Sequence, residues 1–436
     1  MATAPTFTPR FLEDMYQAAS ECNKCSLCQA TCPAYVTNPV EWETARGRVS
    51  LIRDAIEGKL ELRDIADGPL STCLTCDNCV AACAPRVPTG HIVSRARQEL
   101  YAQEGHPWGQ SFVMHSVLPH PGVMRFLHGI SRVAQVSGID WLFRKAGIYS
   151  ALGTPGAFAE HTGPLEQHTA YHRARSLPAA AAPVRGRVGF LTCCYENIAT
   201  PAATEAAMRV LLANGFEVTV PELACSGMPA RTLGDREAMH EMALGNTARL
   251  ADLEVDAFVG DVAACVGHYR EYGEIAGDDR LLGSQAQRIG RNTWLTSRFL
   301  DEQGWRAELG AVRWKVAIDE PCSLPIDGPD RGAMRRLLER VPHLQVVPLT
   351  EAEMCCGGAG TYFARMPERS AAILQRKFEN IKASGAQVVV TENVSCLTQL
   401  RAGAAVHAPG VRVLHLMELL AESIAVAERR RAVLPE

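Results

Sequence analysis

The sequence predicts a mixed fold, in which an α-helical N-terminal domain is followed by a tandem pair of α/β cysteine-rich repeats. The first observation is a pair of identically spaced cysteine runs at 22–32 and 73–83. The second is a set of apolar residues at helical spacing between these runs. The third is a pattern of short apolar segments, each followed by cysteine, which begins near residue 187 and occurs twice. The 436 residues are enough for two or three domains.

Each cysteine run has the spacing C-x₂-C-x₂-C-x₃-C, which is typical of a [4Fe–4S] binding sequence. Three closely spaced thiolates can bind one cluster, and the fourth normally binds the other cluster. The first predicted ligand set is Cys22, Cys25, Cys28 and Cys83. The second predicted ligand set is Cys73, Cys76, Cys79 and Cys32. Two zinc knuckles are the alternative, although zinc sites usually present two pairs of ligands.

The segment between the cysteine runs is predicted to be helical. Apolar residues recur there near helical spacing, and a glycine ends the pattern: Trp42, Val49, Ile52, Ile56 and Gly58. A helical two-cluster ferredoxin domain is therefore expected over residues 1–105. Arg46 and Arg48 lie on the predicted helix, where their charges would tune a cluster or bind a partner. A solvated helix face is the alternative for these two arginines.

Residues 106–186 are predicted to form a helical connecting region that ends in a linker. Prolines and glycines divide it into short amphipathic pieces, and the sequence SLPAAAAPVRGR at 176–187 has the composition of a linker. Pieces of this kind can pack on a core, bind a partner or lie on a membrane surface. Core packing is the commonest of these outcomes.

An internal duplication follows, with copies expected at 187–305 and 306–436. The intervals between successive cysteines are nearly the same in the two copies. The cysteines compared are Cys194, Cys225 and Cys265 in the first copy, then Cys322, Cys355 and Cys396 in the second. Short apolar segments alternate with helical stretches in both copies. This alternation predicts β-α-β units around a parallel sheet.

The thiols of each copy are expected to converge, because each follows a predicted strand and the carboxyl ends of parallel strands meet at one edge of a sheet. The second copy offers the predicted ligands of a third iron–sulfur cluster, which are Cys322, Cys355, Cys356 and Cys396. The first copy offers a further candidate metal set, which is Cys193, Cys194, Cys225 and Cys265. Ser226 stands where the second copy has Cys356, which weakens that set. Buried cysteines that act as small apolar residues are the alternative in both copies. The glycines after Cys356 are expected to let backbone N–H groups approach sulfur closely.

Bulk properties exclude several classes of protein. The net charge of −4 argues against a nucleic-acid binder, which needs a basic face. The opening sequence MATAPTFTPRFLEDMYQ lacks the apolar core of a secretory signal, so the clustered cysteines indicate metal ligands in a reducing compartment. No apolar stretch is long enough to form a transmembrane helix. We therefore expect a cytoplasmic protein whose membrane contact, if any, is peripheral at the inner membrane or through a partner. No flavin or nicotinamide fingerprint is present.

The chain resembles the iron–sulfur subunit of glycolate oxidase (glycolate dehydrogenase) over nearly its full length. The resemblance depends on the paired cysteine runs, on ARGR at 45–48 and CLTCDNC at 73–79, and on HYREYG at 268–273 and MCCGGAGTY at 354–362. The two repeats resemble the CCG modules of heterodisulfide reductase. They depart from that pattern at Ser226, and at Glu320, where relatives often have cysteine.

The resemblance implies an electron-transfer role within an oxidoreductase complex, with no catalytic residue on this chain. A separate subunit that carries FAD would oxidise a 2-hydroxy acid, typically glycolate to glyoxylate, with D-lactate as an alternative. Electrons would leave through two [4Fe–4S] clusters and a third cluster in the CCG region toward a quinone or another acceptor. His268 and Tyr269, beside Cys265, are the polar groups expected at a quinone site.

Two other functions remain open. One is a heterodisulfide-reductase-like subunit, or an iron–sulfur subunit of an anaerobic glycerol-3-phosphate or lactate dehydrogenase, with a catalytic or terminal CCG cluster. The other is a scaffold whose repeats are inert and only hold the flavin subunit.

Overall fold

The protein is described by a computed structural model that covers residues 9–151, 156, 158, 163–325 and 327–433. The N-terminal helices are α1 (Pro9–Ser20), α2 (Pro33–Thr37), α3 (Ala45–Ile56), α4 (Asn78–Ala81) and α5 (Thr89–Glu104). The helices that follow are α6 (Trp108–Phe112), α7 (Pro121–Val136), α8 (Ile139–Lys145), α9 (Ile148–Ala151) and α10 (Ala170–Ala174).

Helix α3 organises the N-terminal domain. Its N-cap is Thr44, whose Oγ1 accepts a hydrogen bond from the Gly47 N–H at 3.0 Å. Val49 and Ile52 are buried on α3 and pack against Ile92 of α5. The predicted helical character of this domain is therefore confirmed, with its core between α1, α3 and α5.

The predicted helix between the cysteine runs starts later than its apolar pattern suggested. Trp42 lies outside it, in the 3₁₀ turn Glu41–Glu43, and its side chain is 56% exposed. The prediction that Trp42 shares the buried helical face is wrong, because the cap at Thr44 begins the helix two residues later. Gly58 does follow the end of α3, with a φ of 72° that favours glycine.

The second part of the chain contains two four-stranded parallel sheets. The strands of the first are β1 (Gly186–Phe190), β2 (Phe216–Thr219), β3 (Ala257–Gly260) and β4 (Thr293–Leu295), in the order β2-β1-β3-β4. The strands of the second are β5 (Lys315–Ile318), β6 (Gln345–Val347), β7 (Val388–Thr391) and β8 (Arg412–His415), in the order β6-β5-β7-β8. The identical order and parallel pairing confirm two α/β repeats.

Helices cover the sheets of both repeats. Those of the first are α11 (Glu196–Ala199), α12 (Pro201–Ala213), α13 (Met228–Leu233), α14 (Arg236–Leu250), α15 (Ala263–Arg270), α16 (Tyr272–Ile275), α17 (Gly283–Arg291) and α18 (Thr296–Gln303). Those of the second are α19 (Ala333–Leu338), α20 (Tyr362–Arg365), α21 (Pro367–Ser384), α22 (Val394–His407) and α23 (Leu416–Val433).

The two repeats share one hydrophobic core. Phe190 and Val259 of the first sheet lie in the same buried cluster as Ile318 and Val390 of the second. Helix α12 of the first repeat packs against α23 of the second. The two repeats therefore pack together around a shared core and do not form independent domains.

Buried polar contacts also cross between the repeats. The Glu392 carboxylate accepts hydrogen bonds from the Ser297 N–H at 3.0 Å and from the Ser297 hydroxyl at 2.6 Å. The His415 ring nitrogen Nε2 lies 2.9 Å from the Asp261 carbonyl oxygen. These contacts fix the carboxyl ends of the two sheets relative to each other. Within the described residues, no helix is long and apolar enough to cross a bilayer.

Candidate metal centres

The two N-terminal cysteine runs have the same backbone geometry. In the first run, Lys24 and Ser26 flank Cys25 and have positive φ angles of 54° and 73°. In the second run, Thr75 and Asp77 flank Cys76 with φ angles of 50° and 54°. Left-handed residues on both sides of the middle cysteine coil each run tightly.

Four cysteines from the two runs line one internal cavity. Its lining includes Cys32 of the first run and three cysteines of the second run, which are Cys73, Cys76 and Cys79. Cys32 is buried, and burial raises the pKa of the Cys76 and Cys79 thiols well above the usual value. The structure therefore brings together the second predicted ligand set.

The first predicted ligand set is more open. Cys25 is exposed, and Cys28 is half-buried. Burial raises the pKa of the Cys28 thiol, and the nearby Cys22 and Cys32 raise it further. Cys22 and Cys83 both pack at the edge of the α1–α3–α5 core, and the turn Leu27–Gln29 lies against α4. The grouping of all four around one cluster stays a prediction.

Two buried arginines flank the second ligand set. Arg48 is 2% exposed, and its guanidinium donates to the Pro69 carbonyl at 2.7 Å and to the Thr72 hydroxyl at 2.9 Å. Burial lowers the pKa of Arg48, but the neighbouring Cys73 and Cys32 more than offset this and leave the pKa raised. The solvated-face alternative for Arg48 is therefore wrong, whereas Arg46 lies nearer the surface and pairs with Glu41 at 2.6 Å.

Arg97, the second buried arginine, joins the domain to the first repeat. It donates hydrogen bonds to the carbonyl oxygens of Cys73 at 2.7 Å and of Thr232 at 2.8 Å. Burial lowers the pKa of Arg97 to about 10, so the group still carries its charge at neutral pH. Sequence analysis missed Arg97, because its partners are distant in sequence.

The four thiols of the second repeat converge. Cys355 is in hydrogen-bond contact with Cys322 and Cys356, and Cys356 is in contact with Cys396. The hydrogen bond with Cys355 lowers the pKa of Cys322, but burial and the charges of neighbouring cysteines raise it to about 11. Each of these cysteines lies after a strand of the second sheet, as the predicted topology requires.

The four thiols of the first repeat converge as well. Cys193 contacts Cys194 and Cys265, and Cys194 contacts Cys225. The hydrogen bonds from Cys194 and Cys265 lower the pKa of Cys193, and the N–H groups of Glu196 and Tyr195 lower it further. Ser226 is buried in this region, and its hydroxyl has no hydrogen-bond partner among the described residues.

A buried carboxyl pair, Glu196 and Asp261, stands beside Cys193. Both are fully buried, and burial raises the pKa of Glu196 and brings that of Asp261 to about 7. His268 and Tyr269, the polar groups expected at a quinone site, are both about 1% exposed. They face the protein interior at the first-repeat thiols.

The second ligand set lies directly against the thiols of the second repeat. Cys32 and Leu74 belong to one apolar cluster with Cys355, and Cys76 and Cys322 pack on that cluster. The Asn78 amide donates to the Glu353 carbonyl at 2.9 Å, and Arg369 forms an ion pair with Glu43. The N-terminal domain is therefore tied to the loop that carries Cys355 and Cys356.

Comparison with known proteins covers most of the chain. The 4Fe-4S dicluster domain family matches residues 18–87, and the cysteine-rich domain family matches 188–270 and 316–401. Between them, residues 105–159 match the linker region of the glycolate oxidase iron–sulfur subunit. A probable glycolate oxidase iron–sulfur subunit of Bacillus subtilis is 27% identical over 428 residues, 92% of this chain and 93% of that protein.

The chain therefore combines a 4Fe-4S dicluster domain, a linker region similar to that of the glycolate oxidase iron–sulfur subunit, and two cysteine-rich domains.

Further relatives are similar to most or about half of this chain. The glycolate oxidase iron–sulfur subunit of Escherichia coli is 24% identical over 388 residues, 87% of this chain and 89% of that protein. Lactate utilization protein A of an Exiguobacterium species is 28% identical over 239 residues, 54% of this chain and 96% of that protein. A hypothetical protein from Helicobacter pylori shares the fold, with a TM-score of 0.53 at 9% identity over 94% of this chain and 75% of that chain.

A buried lysine holds the cysteine loop of the second repeat in place. The ammonium group of Lys377 lies 2.7 Å from the Asp319 carboxylate. It also donates to the carbonyl oxygens of Ala352 at 2.7 Å and of Met354 at 2.9 Å. Lys377 is fully buried, and it therefore places a fixed positive charge near Cys356 and Cys396.

The glycines after Cys356 permit close packing of the loop. A Cβ atom on Gly357 would lie 2.8 Å from the Ser370 carbonyl oxygen, and the φ of Gly357 is 86°. A Cβ atom on Gly358 would lie 2.9 Å from the Ser395 carbonyl oxygen and 3.4 Å from the Cys356 Sγ atom. The loop can therefore lie against α21 at Gly357 and against α22 at Gly358 only with glycine at both positions.

Proposed function

We propose that this chain is the electron-transfer subunit of a flavin-dependent 2-hydroxy-acid dehydrogenase. The match to the linker region of the glycolate oxidase iron–sulfur subunit, and the relatives of that name, support an iron–sulfur subunit of such an enzyme. The observation that carries the proposal is the contact between Cys76 of the N-terminal domain and the Cys355 region of the second repeat. This contact brings the second N-terminal ligand set next to the second-repeat thiols, which supports a path for electrons between the two sites.

The proposed ligands are the predicted ones, and the residues fit iron–sulfur clusters. The N-terminal sets are Cys22, Cys25, Cys28 with Cys83, and Cys73, Cys76, Cys79 with Cys32. A third set is Cys322, Cys355, Cys356 and Cys396, and the first-repeat set is Cys193, Cys194, Cys225 and Cys265. Buried thiols that converge, with Arg48 and Lys377 nearby to offset negative charge, suit an anionic cluster. Within the described residues, no group of three or more His, Cys, Asp or Glu side chains has the geometry of a site for a single metal ion.

Clusters bound at these sites would supply one-electron chemistry. The residues of this chain position the cysteine sites next to one another, exclude water from them and determine the charge around them. The Cys32 and Cys355 side chains are buried, so solvent is kept from the junction of the two sites. We also propose the domain limits 1–105, 106–186, 187–305 and 306–436 for these functional parts.

The proposed substrate is glycolate, which is oxidised to glyoxylate with release of two electrons and two protons on a partner subunit that carries FAD. D-lactate is a second candidate, because part of this chain is similar to lactate utilization protein A. The electrons would pass toward a quinone or another acceptor.

Anaerobic reduction of the complex with its flavin partner tests the proposal. Glycolate should reduce the flavin and then give the EPR signals of reduced iron–sulfur clusters, and D-lactate should be compared at the same concentration. The chain without its flavin partner should give no such signals with either acid. Reduction of heterodisulfides by the isolated chain, or clusters that stay oxidised after the flavin is reduced, would contradict the proposal.

A further inference from the structure

Helix α7 has its polar and apolar faces reversed relative to an ordinary surface helix. His128, Arg132 and Gln135 face the protein body. His128 Nε2 lies 3.2 Å from the Glu166 carbonyl oxygen, and Arg132 donates to the Leu165 carbonyl at 3.0 Å. An amphipathic surface helix normally buries its apolar stripe and exposes its polar face. On α7 the polar side chains make the internal contacts instead.

The outward face of α7 is apolar. Phe126 is 66% exposed, Ile130 51% and Val133 66%, and these residues stand at i, i+4 and i+7 on one face. Helix α8 adds Trp141 at 56% and Leu142 at 55% exposure. Five large apolar side chains on two adjacent helices are too many for scattered surface residues and indicate an interaction surface.

Two exposed cations, Arg125 and Lys145, border this surface, whereas Arg132 faces inward and Arg144 pairs with Asp140. Residues 121–145 contain four basic residues and one acidic residue, whereas the chain has a net charge of −4. The Lys145 ammonium lies 4.5 Å from the centre of the Trp141 ring. Arg125 is 66% exposed in its side chain and reaches Glu222 at 2.9 Å. Cationic groups beside exposed aromatic and aliphatic side chains are characteristic of helices that lie in a membrane interface.

We propose that the α7–α8 surface binds the surface of an anionic lipid bilayer. The apolar face of α7 would enter the boundary between headgroups and acyl chains, while Arg125 and Lys145 approach lipid phosphates. A stacked Lys145 and Trp141 pair suits this boundary, because its ring is apolar and its ammonium is hydrated. The inference goes beyond the proposed electron transfer and does not depend on it.

Sedimentation with lipid vesicles tests this surface. The cluster-loaded full chain should bind vesicles that contain phosphatidylcholine and phosphatidylglycerol. It should bind vesicles of phosphatidylcholine alone at least about tenfold more weakly, because each nearby cation adds about 1 kcal/mol on an anionic surface. The triple variant Phe126→Gln, Ile130→Gln, Val133→Gln should lose at least about tenfold in affinity. A matched variant, Val184→Gln, Leu281→Gln, Val406→Gln, alters equally exposed apolar residues elsewhere and should bind like the wild type.

Iron content and the visible absorption of both triple variants show whether they remain folded and loaded. The proposal is overturned if the wild type sediments with neither vesicle, or if both triple variants bind anionic vesicles equally well. It is also overturned if the wild type does not bind vesicles and, of the two triple variants, only the α7 variant fails to bind the flavin partner. The surface would then be a protein-binding surface. Glycolate-driven reduction is measured separately, so failure here is distinguishable from failure of the proposed function.

Discussion

The guanidinium of Arg48 lies 3.9 Å from the Sγ atom of Cys32, in the buried junction where the two N-terminal cysteine runs meet. The same guanidinium is fixed by Pro69 and Thr72, so its position does not depend on the sulfur. A fixed buried cation beside a ligand favours the more negative, reduced state of a cluster.

Removal of the Arg48 charge should therefore lower the reduction potential of the second N-terminal cluster. A unit charge about 8 Å from the cluster centre is worth about 2 kcal/mol at an effective dielectric constant of about 20, or roughly 90 mV. Arg48→Gln should show a decrease of this order in an EPR redox titration. The control Arg46→Gln alters a more exposed arginine of the same helix and should shift the potential far less; equal shifts in both variants would refute the effect of burial.

Cys32 and Cys83 should belong to different clusters. Cys32→Ala should remove the cluster of Cys73, Cys76 and Cys79 and leave the other N-terminal cluster, because Cys32 lines the cavity of the second run. Cys83→Ala should remove the other signal. Each variant should lose about four iron atoms per chain, the content of one [4Fe–4S] cluster. If Cys32→Ala eliminates the same EPR signal as Cys28→Ala, each run binds its own cluster and the crossed assignment is wrong.

The ion pair of Lys377 with Asp319 should be required for stability of the second repeat. Lys377→Met leaves the buried Asp319 carboxylate uncompensated and should cost about 3 to 5 kcal/mol in the free energy of unfolding. Urea unfolding followed by circular dichroism measures this loss. Lys382→Met, on the exposed face of the same helix, should change stability by less than about 0.5 kcal/mol. A loss for Lys377→Met no larger than that of the control would contradict the structural role.

Glu392 should make the stability of the chain depend on pH. Burial raises the pKa of its carboxyl to about 8, above the usual 4.5. The folded state therefore keeps a proton that the unfolded state releases, so this contribution is complete below pH 4.5 and is lost as the pH rises through 8.

The variant Glu392→Gln is neutral at every pH and can still accept the Ser297 N–H bond. Its stability relative to the wild type should rise by about 2 to 4 kcal/mol between pH 5 and pH 8, measured by urea unfolding at both values. Glu379→Gln, at an exposed position, serves as the control. Parallel stability curves for Glu392→Gln and the wild type would show that Glu392 is ionised in the folded state.

Local patterns in the sequence were enough to predict the helical N-terminal domain and the two α/β repeats. The spacing of Val49 and Ile52 predicted a buried helical face, and the duplicated cysteine intervals predicted two parallel sheets. The strands β4 and β8 were not predicted, because the repeat was traced through its cysteines and no cysteine follows these strands. Trp42 was placed on the helix because periodicity alone does not locate the cap at Thr44.

The surroundings of the thiols could be predicted only in part. The convergence of the cysteines in each repeat could be predicted from strand topology. Arg48 could be named as a residue whose charge would tune a cluster. Arg97 and Lys377 could not be found in this way, because their partners are distant along the chain and depend on the packing of whole elements. The close contact of Cys76 with the Cys355 region is a tertiary relationship between domains, which no spacing in the sequence encodes.

Electron transfer through the second-repeat thiols can be tested most directly with Cys396→Ala in the complex with the flavin partner. Cys396 lies at the far side of the second-repeat thiols from Cys76, so the N-terminal clusters should still load and be reduced by glycolate. Reduction of a quinone analogue should fall by at least about 100-fold, a loss of roughly 2.7 kcal/mol in transition-state stabilisation, while glycolate still reduces the flavin and the N-terminal clusters. Unchanged reduction of the quinone analogue by this variant would contradict an exit through the second repeat.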